Sequence, residues 1–326
     1  MRRRATGPLR RCVVIAHDNV GRRFDRYSET AGYNAAINGR QFRARAWAVT
    51  DDAAWQTWRY PDLTYATRLD LDIGGVRFEL HHAKGETDDH TWVHIPSEAA
   101  VLCGDLFIWV CPNAGNPQKV QRYPREWAQA LREIIAAQPE VLVPAHNVPI
   151  FGKARIAEAL GATAALLEFL VDETIALMNE GCTLEEVVAR VQPPAALTAP
   201  HYLAPLYDEP EFIVRNVWRM YGGWYDGNPA HLKPAPMAAV AAELAAFAGG
   251  AAAIARRATE LAAAGDLRVA SELVELAGRA APDDVAVHRA RAEVYGARAR
   301  AETSLMARSI FAEASEVSAG KGALGA

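Results

Sequence analysis

The chain has 326 residues, 51% of them hydrophobic and 23% charged, with a formal net charge of −4. That length supports one large core or two moderate ones, and the slightly acidic balance gives nucleic acid no electrostatic footing as a partner. No window of about eighteen apolar residues occurs, so no membrane span is expected. The five arginines within residues 1–11 lead only into the short apolar run Cys12–Ala16, too short for a leader's hydrophobic region, so a cytoplasmic location is the expectation.

Residues 1–160 read as mixed strand and helix. Residues 12–16 form a short strand candidate. Thr67 to His82 alternates around Gly74-Gly75, the pattern of a β-hairpin with a two-glycine turn. Thr91–Ile95 and Ala99–Cys103 are the next strands. Pro124 opens a helix whose apolar stripe is Trp127, Leu131, Ile134 and Ile135. Glu140–Val143 returns as a buried strand. From about residue 153 the pattern is helical. Ala154–Asn179 is one long helix stopped by Gly181, and Thr183 with Glu186 reads as a capping box. Residues 251–264, 266–279 and 283–300 are similar in length and divided by Gly265-Asp266 and Pro282-Asp283, which suits stacked helical hairpins. Residues 316–326 are small and polar enough to fray. Cys12, Cys103, Cys111 and Cys182 contain no C-x-x-C pair and read as buried free thiols.

Three potential metal ligands each follow an apolar strand. Glu86 lies in Gly85-Glu86-Thr87-Asp88-Asp89-His90, Asp105 in Gly104-Asp105-Leu106-Phe107, and His146 in Val143-Pro144-Ala145-His146. A Glu, Asp and His spread over some sixty positions suit a catalytic metal centre, since structural zinc sites draw on closely spaced Cys and His. His90 and His94 have the spacing of a His-x-x-x-His pair, but Thr91-Trp92-Val93 marks a strand. There, side chains four apart lie about 13 Å apart. Asp88, Asp89 and His90 are instead expected to orient Glu86. Asn113, Asn116, Lys119 and Arg122 follow Asp105 closely enough to grip a tetrahedral anion, with Lys119 and Arg122 as alternatives for the basic group. Trp218, Tyr221, Trp224 and Tyr225 with Arg215 and Arg219 form an aromatic and cationic group that suits a core, an alkyl-binding wall or an interface.

These segments resemble the alkyl sulfatases, hydrolases of the metallo-β-lactamase superfamily. The resemblance includes Ala16-His17-Asp18-Asn19-Val20, Gly85 to His94, and Pro112-Asn113-Ala114-Gly115-Asn116-Pro117-Gln118-Lys119. It continues in Arg215-Asn216-Val217-Trp218-Arg219 and Tyr221-Gly222-Gly223-Trp224-Tyr225-Asp226-Gly227-Asn228-Pro229, the last like the alkyl sulfatase dimerisation domain. It runs from about residue 12 to about residue 312. It implies an α+β fold, a partial αββα sandwich in residues 1–152 followed by an all-α helical dimerisation domain in 153–312, with a frayed tail at 313–326. It implies two zinc ions, with Glu86, Asp105 and His146 among their ligands and Asp105 bridging. It implies a sulfate site in the Asn113–Arg122 segment, a homodimer, and hydrolysis of linear alkyl sulfates such as SDS. Glu86 itself favours this branch, since the wider superfamily is expected to carry His there. The family's His-x-His-x-Asp-His loop does not occur in the sequence, so the chain resembles the later part of such a protein, and its activity is expected to be impaired. A non-catalytic chain that keeps dimerisation, or another hydrolase on the same scaffold, are the alternatives.

Overall fold

The computed structural model describes residues 12–43 and 58–323. In chain order the elements are β1 (Ile15–His17), α1 (Asn19–Glu29), α2 (Ala31–Phe42), β2 (Leu63–Tyr65), β3 (Arg68–Ile73), β4 (Val76–Ala83), β5 (His90–Ile95), β6 (Ala100–Gly104), α3 (Pro124–Ala136), β7 (Val141–Pro144) and β8 (Ile150–Phe151). Helices then follow: α4 (Lys153–Asn179), α5 (Leu184–Arg190), α6 (Ala195–Thr198), α7 (Pro210–Gly222), α8 (Pro229–Leu232), α9 (Met237–Ala248), α10 (Ala251–Ala263), α11 (Leu267–Ala280), α12 (Val285–Ala301) and α13 (Leu305–Ala323). The fold is α+β, as expected. No single described helix is long and apolar enough to cross a membrane.

The chain divides into two compact units. The first takes the described residues of Met1–Ala36 and Ala46–Gly223, the second those of Ile37–Arg45 and Trp224–Ala326. The sequence places a boundary after residue 152, but the fold does not divide there. The reason is burial. Ile156, Leu160 and Leu167 of α4 and Ile213, Val214 and Val217 of α7 share one core with Trp92, Val101, Cys103 and Leu142 of the sheet and Trp127, Leu131 and Ile134 of α3. Residue 153 marks a change of secondary structure within a core, not the end of one.

The sheet of the first unit runs β3-β4-β5-β6-β7-β8. Gly74 and Gly75 both take positive φ, +61° and +83°, the geometry of a two-residue hairpin turn that only glycine adopts without strain. Neighbouring strands are antiparallel except β6 and β7, which are parallel. Helix α3 makes that crossover, as a parallel pair requires. The Trp127 indole N–H donates to the Leu106 carbonyl at 2.9 Å, which ties the helix to the loop after β6. Among the described residues, one face of the sheet is covered more fully than the other. On the less covered face, Leu69, Leu80, Val93, Leu102 and Val143 stand in register across five strands, and all are half-buried or exposed. A separate parallel pair, β1 with β2, stands outside this sheet.

The second unit is helical, with small cores of alanine and valine. Ala245, Ile254, Ala255, Ala277 and Val287 form one cluster, and Ala258, Ala270, Val274 and Val294 another. The three repeated helices expected from the spacing are α10, α11 and α12. The frayed tail is not seen over the described residues. Helix α13 runs to Ala323, held by the Arg291 guanidinium, which donates to the Ala314 carbonyl and the Ser318 hydroxyl. All four cysteines are free, but only Cys103 and Cys111 are buried, while Cys12 is exposed. Burial was expected for all four, but Cys12, in a bend before β1, is exposed and Cys182 is half-buried.

Candidate functional site

Strands β6 and β7 run side by side in the same direction, so their ends deliver two loops to one place. The Ala145 N–H donates to the Gly104 carbonyl at 3.1 Å, joining those loops. Gly104 takes φ +56°, and a Cβ there would fall 2.7 Å from the His90 ring. A side chain at 104 is thus excluded both by backbone geometry and by His90. The result is that Asp105 and His146, 41 positions apart in sequence, meet with Nε2 and Oδ1 3.4 Å apart. Asp105 Oδ1 is buried and has no hydrogen-bond partner among the described residues. A buried carboxylate oxygen left open beside an imidazole is the arrangement expected of a pair of metal donors.

Glu86 lies on the loop after β4 and is held by Arg122, whose Nη2 donates to its Oε1 at 3.2 Å. The Arg122 guanidinium is almost fully buried and its charge is disfavoured there by desolvation, so the Glu86 carboxylate is its compensating charge. Among the described residues no three His, Cys, Asp or Glu side chains stand together so as to hold a metal ion. The structure therefore brings two of the three expected ligands together and engages the third with an arginine. Asp105 and His146 fit a metal as a partial donor set. Glu86 is engaged through Oε1 by Arg122 and is not grouped with them.

The three acidic-loop residues expected to orient Glu86 are engaged elsewhere. Arg23 of α1 pairs with Asp88 and donates from Nε to Asp89 at 2.6 Å, which holds the Asp89 carboxyl below its usual range against the cost of burial. Asn19 Nδ2 donates to the Asp88 carbonyl, and the His82 ring is 2.9 Å from the same oxygen. The His17 ring stacks on His82 with centroids 3.8 Å apart. Asp88 and Asp89 thus anchor α1 to the sheet. His90 Nε2 lies 3.0 Å from the Cys103 carbonyl, and burial lowers its pKa. Its ring supports the Gly104 turn from beneath. His90 and His94 sit on strand β5 as expected, and His94 pairs with Glu79 at 3.1 Å.

The segment Cys111–Asn116 is buried throughout. Asp208, fully buried just before α7, explains this. Its Oδ2 accepts from the Gly115 N–H at 2.6 Å and its Oδ1 from the Glu209 N–H at 2.8 Å. Asn113 Oδ1 is buried with no hydrogen-bond partner among the described residues, and Asn116 Oδ1 accepts from the Gln118 N–H. Asn216 bridges the segment to α7, its Nδ2 donating to the Arg122 carbonyl at 3.1 Å. Lys119 is partly buried, and desolvation with the neighbouring Arg122 charge brings its pKa down to about 8. Neither basic residue is a freely solvated surface charge. Between this segment and α7 lies a cavity of about 230 Å³ lined by Gly115, Asn116, Pro117, Phe212, Arg215 and Arg219, with Asn216. In the aromatic group, Trp218 belongs to the core of the first unit and Trp224 is largely exposed. Asp208 and the Arg23 pairings carried no sequence signal, because each depends on a partner at least 65 positions away.

Residues 183–320 match the alkyl sulfatase dimerisation family. The chain is 30% identical over 227 residues to the linear primary-alkylsulfatase of Pseudomonas sp. (strain ATCC 19151), covering 69% of this chain and 43% of that protein. It is 30% identical over 224 residues to an alkyl/aryl-sulfatase of Saccharomyces cerevisiae, covering 67% of this chain and 34% of that protein. Its fold matches that of the stereoselective inverting sec-alkylsulfatase Pisa1 from Pseudomonas sp. with a TM-score of 0.81 and 23% identity, over 94% of this chain and 52% of that one. The chain thus spans about half, or less, of the length of these relatives.

Proposed function

We propose, from the premise that this chain is a relative of the alkylsulfatases and carries their dimerisation domain, that its first unit is the sulfate-ester side of a zinc-dependent alkylsulfatase centre and that its helical region forms a homodimer. The observation that carries the first part is the Asp105–His146 pair with its open, buried Oδ1. Zinc held there would polarise the ester and lower the pKa of a bound water. Asp105 and His146 supply donors. Asn113, Asn116, Lys119 and Arg122 supply the amide and cationic groups for the sulfate oxygens, with Arg122 exchanging Glu86 for substrate. A linear alkyl sulfate such as SDS is the proposed substrate. The partial donor set also favours a second reading, a chain that dimerises without catalysing.

Zinc titration of the 326-residue chain by calorimetry tests the assignment. Two protein donors fall short of the three that a catalytic zinc normally keeps, so weak binding and slow SDS hydrolysis are expected. Asp105→Ala and His146→Ala should each weaken zinc by at least ~10–100-fold, the scale on which even outer partners of ligands act. Unchanged zinc affinity in both variants would remove the assignment. Zinc-independent dimerisation with no turnover would favour the second reading.

A further inference from the structure

Helix α9 turns its small residues inward and its large ones outward. Ala241 and Ala245 are buried against the second unit, where α9 packs on α10 and α11. Met237, Val240, Leu244 and Phe247 are all exposed, Phe247 at 89%. A helix covering a core normally does the reverse. The four exposed positions follow a spacing of three, four and three, the seam of a helix that pairs with another helix. Glu243 is the helix's one charged residue, and alanines fill most of its other positions. A charged partner would find little to pair with, whereas an identical apolar seam would fit closely.

We propose that the Met237–Val240–Leu244–Phe247 seam is the contact through which two copies of this chain pair, α9 against α9. The inference rests on the homodimer reading above and locates it. The seam lies within the residues that match the dimerisation family, and a symmetric pairing buries the same stripe on both copies, as a two-fold interface requires. Eight apolar side chains then leave water together. This makes α9 a helix with two cores, alanine-lined within the unit and large-residue-lined between copies.

Sedimentation of the full chain at micromolar concentration tests this, with the double variant Val240→Glu/Leu244→Glu and the control Ala242→Glu. Residue 242 lies about 200° around the helix from 244 and is exposed, so none of these changes touches a buried position. A Phe247→Asp variant and unchanged helical circular dichroism guard against misfolding. The expected result is a dimer for the parent and for Ala242→Glu. The seam variants should dissociate with a constant raised by roughly 100-fold or more, because like charges would face one another in an apolar seam. A dimer that survives both seam variants overturns the proposal while leaving dimerisation intact, and means that something else covers the stripe. Equal loss in Ala242→Glu also overturns it. A monomeric parent refutes the homodimer reading itself.

Discussion

Gly115→Ala should destabilise the first unit by about 4 kcal/mol, beyond the ~1–3 kcal/mol usual for overpacking. A Cβ at 115 would lie 2.2 Å from both the Phe212 carbonyl carbon and the Ile213 nitrogen, and 2.6 Å from the Phe212 oxygen. All three are backbone atoms, so no side chain can swing away. Relief requires shifting α7 or the loop, and both are anchored. Ile213 and Val217 sit in the core, while Cys111 N–H donates to the Ala204 carbonyl at 3.0 Å. Any shift also breaks the hydrogen bond from Gly115 to Asp208. Urea unfolding followed by tryptophan fluorescence measures the effect. Gly161→Ala is the counterpart. It lies inside α4, where a Cβ would meet only Arg132 Nη1 at 3.8 Å, and it should stabilise by about 0.5–1 kcal/mol through helix propensity. Similar changes at both positions would contradict the close approach at 115.

These two glycines also mark what sequence alone conveys. Local devices were legible: the Gly74-Gly75 hairpin, the Pro124 helix start, and the Thr183–Glu186 capping box, which forms with both reciprocal bonds. That Glu86, Asp105 and His146 share one centre was implied by the family resemblance rather than by local pattern, and Asp105 and His146 meet at 3.4 Å while Glu86 is held by Arg122. Partnerships across the chain were not legible. β2 pairs with β1, 48 positions earlier, and three residues of pattern are too few to register as a strand. Asp88 and Asp89 look like companions of Glu86 because they are near it in sequence, but the Arg23 guanidinium binds them instead. Arg122, expected as a basic group for the sulfate, is buried against Glu86, 36 positions away. The unit boundary falls at Gly223 because α4 and α7 carry apolar faces that only the sheet and α3 can cover, whereas composition registers the change of periodicity at 153. The inverted polarity of α9 was equally hidden, since Ala and Leu read alike until burial separates them.

Asp208→Asn should remove a loss of stability that the parent suffers between about pH 4 and 7. Burial pushes the Asp208 carboxyl up to about 7 from an ordinary 3.8, although the Gly115 and Glu209 N–H groups and Arg122 favour its charged form. The sign follows from proton counting. Between those two values the native state holds a proton that the unfolded chain has released, so stability falls as pH rises through the window and levels off above it. The shift corresponds to a contribution on the order of a few kcal/mol, and the full burial of the group leaves little solvent to screen it. Asparagine does not titrate. Its Oδ1 accepts one of the two N–H groups, and its amide nitrogen opposes the other, costing about 1–3 kcal/mol at low pH. The parent's advantage should therefore shrink as pH rises from 4 to 7, reverse once the titration loss exceeds that cost, and stay constant above. Melting temperatures of both proteins across pH 4–8 decide it, with their difference cancelling titrations they share. Parallel curves over that range would mean that Asp208 is ionised when folded. The segment it grips carries Asn113 and Asn116, so on the proposed reading the same protonation tunes how firmly the sulfate-facing loop is held against α7.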